Sequence, residues 1–87
     1  MNVLPQDRKL AEKIWKFGCT CLDKARVEYI NSRFDVAEQW VKEFLRCKKD
    51  LDELVRRKEE HDRLMEFVSE MQKKGINLAL IVRRSYK

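Results

Sequence analysis

The sequence predicts an all-α fold, a long antiparallel helical hairpin with a short C-terminal segment. Three observations carry the expectation. Only two glycines and one proline interrupt 87 residues, which leaves room for very few turns and none of the punctuation a β-sandwich or α/β fold requires. Glu, Lys, Arg, Leu and Ala dominate, and all are good helix formers. Apolar residues recur at helical spacing along two long stretches. One domain spanning residues 1–87 is expected, near the small end of what folds unaided, where a second copy or partner often completes a core.

Helix 1 is expected over about 6–30. Pro5 suits a first helical turn, and Asp7 lies where the helix dipole favours an anion. Leu10, Ile14, Phe17, Cys21 and Ala25 form one stripe; Ala11, Trp15, Gly18, Leu22 and Tyr29 form another beside it. The combined band is wider than the seam of a two-stranded coiled coil, so this helix is expected to touch more than one neighbour.

Asn31 to Asp35 reads as the turn, with Ser32 and Asp35 spaced like a capping box for the next helix. Helix 2 is expected over about 33–74 on Ala37, Trp40, Val41, Phe44, Leu45, Leu51, Leu54 and Val55. Folding about Ser32 places Cys47 opposite Phe17 to Cys19. The octet Arg56 to Arg63 is polar throughout. It contains no breaker, so one continuous helix is preferred over a break near His61 and Asp62, which would give a three-helix bundle. Lys73-Lys74-Gly75 is a stop, with cations at the negative end of the dipole and then glycine. The remainder is read as a short helix capped by Asn77, with a strand as the alternative, although the chain offers no second strand to pair with it. Its five successive apolar residues, Leu78 to Val82, must pack on something.

Several chemistries find little support. The three cysteines form no zinc-type framework. Cys19 and Cys21, two apart on a helix, point about 200° from each other, and His61 is about 20 Å along the helix from Cys47. The expected arrangement has Cys21 in the core and Cys19 and Cys47 near its edge, all reduced. Lys58 stands where a di-iron Glu-x-x-His pair would need glutamate. There is one histidine, with no serine elbow and no glycine-rich phosphate loop. The spacing of Arg56 and His61 resembles the Arg-x4-His nuclease motif of the HEPN family of helical RNases. It covers six residues inside a charge run where such spacings arise by chance. Charged residues at stripe positions would hint at a site inside a bundle, and Lys48 and Lys58 are the clear cases. No catalytic residue, cofactor or metal ligand is assigned, and the protein is read as non-enzymatic.

The net charge is +5, yet Ser32 to Lys74 holds eleven basic and eleven acidic residues. These are spaced for i, i+4 pairs such as Glu38–Lys42, Lys49–Glu53, Asp52–Arg56, Glu59–Arg63 and Glu70–Lys74. The excess lies on helix 1 and the tail. Lys9, Lys13, Lys16, Arg83, Arg84 and Lys87 are therefore the candidates for meeting an anionic partner.

No stretch approaches the ~20 apolar residues of a bilayer-spanning helix, and the first residues carry no secretory pattern. A cytoplasmic or nuclear protein is expected. The functional expectation is a helical oligomerisation or adaptor module, a homodimer or bound to a helical protein. A small basic nucleic-acid-binding regulator is the alternative. The expected partner surface is Leu64, Met65, Phe67, Val68 and Met71 on the overhanging end of helix 2, with Ile76, Leu78, Leu80 and Ile81 of the tail.

Overall fold

A computed structural model describes residues 1–75 of the chain. Because Pro5 fixes its own φ and brings no N–H, the chain enters through one 3₁₀ turn, Pro5–Asp7, and then helix α1, Arg8–Ile30. Helix α2, Phe34–Lys73, runs back along it. No strand occurs among the described residues, and the two helices pack as the expected antiparallel hairpin.

The turn corrects one expectation. Ser32 does not cap α2: the N-cap is Arg33, without a side-chain cap bond. Ser32 closes α1 instead, in the left-handed region at φ 62°. The Arg33 N–H donates to Glu28 O at 2.8 Å, and the Ser32 N–H to Tyr29 O at 3.0 Å. This is the doubly bonded helix stop that glycine usually serves, so two orphan carbonyls of α1 are satisfied. Outside it, Tyr29 and Phe34 meet edge to face with centroids 5.4 Å apart.

The seam is made of small side chains on α1. Ala11, Gly18, Cys21 and Ala25 are buried there, with Ile14 partly buried between them. From α2 come buried Ala37, Cys47 and Leu54 and partly buried Trp40, Phe44 and Leu51. Ala11, Gly18 and Ala25 recur every seven residues, as do Ala37, Phe44 and Leu51 and also Trp40, Cys47 and Leu54. That period keeps one face of each helix on its neighbour. A Cβ built on Gly18 would lie 3.6 Å from the Cys47 Cβ, so Cys47 does sit opposite Phe17 to Cys19.

The broad bands thus divide by size. On α1 small residues enter the seam, and most of the bulkier ones of the same stripes stay outside it. Leu10, Trp15, Phe17, Leu22 and Tyr29 of α1 are all 45–66% exposed.

At the open end the N-terminal residues fold over the hairpin. Val3 and Leu4 are buried, Val3 in one cluster with Ala11 and Leu54. The buried carboxylate of Asp7 accepts from Arg57 at 3.3 Å. This pair, fifty residues apart in sequence, fixes the level at which α1 begins against α2.

Helix α2 is unbroken through Arg56 to Arg63. The octet is anchored by that ion pair and by Lys58, which donates to Asp62 at 2.6 Å. Glu38–Lys42 forms as spaced, at 3.3 Å, whereas Asp52 turns to Lys48 at 2.7 Å rather than to Arg56. The helix ends as expected. Gly75 has φ 74°, and its N–H donates to Gln72 O at 3.1 Å. The readings of residues 76–87 as helix or strand lie outside the described residues.

Ser32→Gly tests the turn. A non-glycine residue in the left-handed region costs ~1–2 kcal/mol, part of which glycine returns through its freer unfolded chain. Urea unfolding should show the variant more stable by about 0.5–1 kcal/mol. A loss of stability would contradict the assignment of Ser32 as the closing residue of α1.

Candidate interaction surface

The polar and thiol groups singled out in the sequence do not converge. Cys21 is fully buried and Cys47 nearly so, while Cys19 is exposed. Cys47 therefore belongs to the core rather than to its edge, because the α2 face at that level lies directly on Gly18, which offers no side chain to hold it away. Cys21 and Cys47 are both buried in the seam. Burial first, and then the neighbouring Cys47 and Glu43, push the Cys21 thiol above its ordinary range. His61 and Arg56 are exposed on α2, and among the described residues no three His, Cys, Asp or Glu side chains gather. Lys48 and Lys58, the charges at stripe positions, are each held by an aspartate one turn on. Both face their own helix's carboxylates, not a shared interior.

What the hairpin does gather is apolar surface. On one side of the seam Trp15, Leu22 and Tyr29 follow one another every seven residues and are 54%, 45% and 66% exposed. Across from them on α2, Val41 and Leu45 are 41% and 54% exposed. They precede Lys48 and Asp52 by seven residues and so share their side of the helix. Between the helices runs an open groove of about 210 Å³, walled by Trp15, Leu22, Phe44 and Leu51 and floored at Gly18 and Cys47. Lys48 and Asp52 stand at its α2 edge, and Cys19 lines it from α1.

The other side differs in chemistry. There Phe17, 47% exposed, lies in a shallow depression with Lys13, Glu43, Arg46 and Asp50. Arg46 and Glu43 are paired at 3.2 Å. Lys13 shares this depression with two carboxylates. Lys9 and Lys16 share its helical face and are exposed.

The partner surface expected on the overhang is only partly exposed. α2 runs on beyond Arg57, where α1 starts, for roughly 24 Å by helical rise to Lys73. Leu64, Met65 and Phe67 are 44–46% exposed there, but Val68 and Met71 are half-buried. The other expected interface residues (Ile76, Leu78, Leu80 and Ile81) and the basic residues Arg83, Arg84 and Lys87 lie outside the described residues.

The groove side went unnoticed in the sequence reading. Its signal was present in Ala11, Gly18 and Ala25, small residues every seven positions. Such a row marks the contact line and assigns the flanking Trp15, Leu22 and Tyr29 to the outside. Comparison of the chain with models of protein families, with curated proteins and with solved structures gives no significant match.

The thiols provide a check on the geometry. At neutral pH one cysteine, Cys19, should react rapidly with a thiol reagent, and Cys21 and Cys47 only as fast as the hairpin opens. The raised Cys21 thiol also makes stability pH-dependent. Its contribution is intact below the pKa of an unfolded thiol and is lost as pH rises through its folded value, because the unfolded chain ionises first. Alkaline destabilisation should therefore be smaller in Cys21→Ala than in the parent chain. Equal labelling rates for all three cysteines in the folded protein would overturn this packing.

Proposed function

We propose that the protein is a non-enzymatic helical oligomerisation or adaptor module that works by laying an apolar helix surface against a helical partner. The observation that carries the reading is the division by size. Along α1 the hairpin closes on alanine, glycine and cysteine while Leu10, Trp15, Phe17, Leu22 and Tyr29 stay largely exposed. Fully burying one large apolar side chain is worth about 1.5–3 kcal/mol. Several half-exposed on one face therefore represent a driving force comparable to the whole stability of a small domain. Contiguous apolar surface of this kind on a small protein marks an interaction site. The seven-residue recurrence in both helices further suits coiled-coil-like association with another helix.

The module would act in the cytoplasm or nucleus, where its three cysteines stay reduced. A nucleic-acid-binding role remains the second reading, favoured by exposed Lys9, Lys13 and Lys16 on one face of α1. Two features count against it as the main activity. α2 carries nine basic and eleven acidic residues, and Lys13 shares its depression with Glu43 and Asp50.

Light scattering across a concentration series tests the proposal. The mass should exceed that of one chain and fall towards it on dilution. A concentration-independent monomer that captures no helical protein contradicts the module reading. In that case affinity for a nucleic acid that falls steeply with added salt would establish the alternative.

A further inference from the structure

We infer that the groove side of the hairpin is where a second copy of the chain docks, face to face about a two-fold axis, making a four-helix arrangement. This rests on the module reading above and assigns its surface and occupant.

Three observations select this face over the other two. First, its chemistry is the most apolar. On the opposite side four of the seven residues lining the depression are charged. Along the groove only two of nine are, and those two, Lys48 and Asp52, neutralise each other at 2.7 Å. A partner covering the groove desolvates one closed ion pair, whereas a partner on the opposite side would have to bury Lys13 and Asp50 as well. On the overhang the exposed residues are a sparse set along one helix, with no second helix beside them among the described residues.

Second, the face is self-complementary. It presents projections, the half-exposed Trp15, Leu22 and Leu45, next to a recess. The recess is deep because Gly18 sits at its floor. An alanine Cβ at that position would meet Cys47 at 3.6 Å and Phe44 at 3.8 Å, ordinary contacts. The seam itself therefore does not require glycine, and mid-helix glycine is intrinsically unfavourable. What its missing side chain provides is depth in the groove. A surface carrying both projection and recess can engage its own copy through a two-fold operation.

Third, the area fits. α1 is 23 residues long, about 34 Å, and two packed helices are about 20 Å across. The paired face thus covers roughly 700 Å², close to the ~800 Å² that each partner contributes to a standard stable interface. The hairpin alone supplies a face of sufficient size for a second hairpin, with no further element of the chain.

The full chain carrying Leu22→Glu and Leu45→Glu tests the inference by sedimentation velocity beside the parent. Two carboxylates on the covered face should weaken the dimer about a hundredfold or more, leaving a monomer with undiminished helical circular dichroism. A control with Leu64→Glu and Phe67→Glu should stay dimeric. Where the glutamate pair loses helicity, Leu22→Ser and Leu45→Ser are read in its place. A parent dimer that survives both groove pairs overturns the assigned face while leaving the module reading intact, all the more if the Leu64 and Phe67 control dissociates. A parent chain that is monomeric at every concentration, but dimerises once cut after Gly75, overturns the assigned occupant and shows the chain's own tail covering the groove.

Discussion

The hairpin depends on how closely its two helices approach. Interhelical distance follows the size of the side chains at the contact, and α1 supplies alanine, glycine and cysteine along the contact line. Close approach buries backbone and Cβ atoms efficiently and satisfies no appetite for burial among the large residues. With the line occupied by Ala11, Gly18 and Ala25, the bulky residues one position before (Leu10, Phe17) and four after (Trp15, Leu22, Tyr29) are turned to the flanks. A leucine or isoleucine row in the seam would have produced a self-sufficient hairpin with polar flanks. This arrangement leaves the largest hydrophobic side chains of α1 looking outward, and the proposed association follows from that.

The rest of the molecule holds the seam in register. At the closed end, Ser32 in the left-handed region ends α1 abruptly and lets α2 begin two residues later, so little length is lost between the helices. At the open end, the Pro5 turn brings Asp7 to Arg57 and drops Val3 onto Leu54. The pair is more specific than strong. Arg57 is 56% exposed, so solvent screens it, and such pairs typically contribute no more than about 1 kcal/mol. What it adds is position, because a shift of one residue along either helix would separate the charges and rotate alanine out of the seam. The polar octet of α2 also has a place here. It lies where α1 starts and beyond, where a helix needs solvated sides and internal ion pairs more than another apolar stripe.

Much of this was legible in the sequence. The scarcity of glycine and proline, the turn near Ser32, the continuity of α2 and the stop at Gly75 all follow from local rules that tertiary packing did not override. The capping role of Ser32 was misread because a serine followed by an acidic residue at the right spacing satisfies the motif in composition alone. Only the φ at Ser32 shows that its backbone was recruited to end one helix rather than its hydroxyl to begin the next. The groove side was passed over for a different reason. Apolar stripes were grouped by spacing without regard to volume, so Leu10, Phe17 and Cys21 were assigned to one row and the overhang to the partner. Which of two adjacent stripes faces inward is a packing question. It is settled by which residues let the backbones come near, and the seven-residue row of small side chains answers it only once volume is weighed beside hydrophobicity.

Trp15 reports on the central claim most directly, since it stands on the groove side, outside the seam of its own chain. In the Trp40→Phe background it is the sole tryptophan, and acrylamide quenching of its fluorescence can be followed as the protein is diluted. The account predicts a shielded, blue-shifted Trp15 in the associated protein that becomes quenchable as mass falls to one chain. Emission and quenching that stay the same through that change in mass would contradict it, because the face carrying Trp15 would then take no part in association.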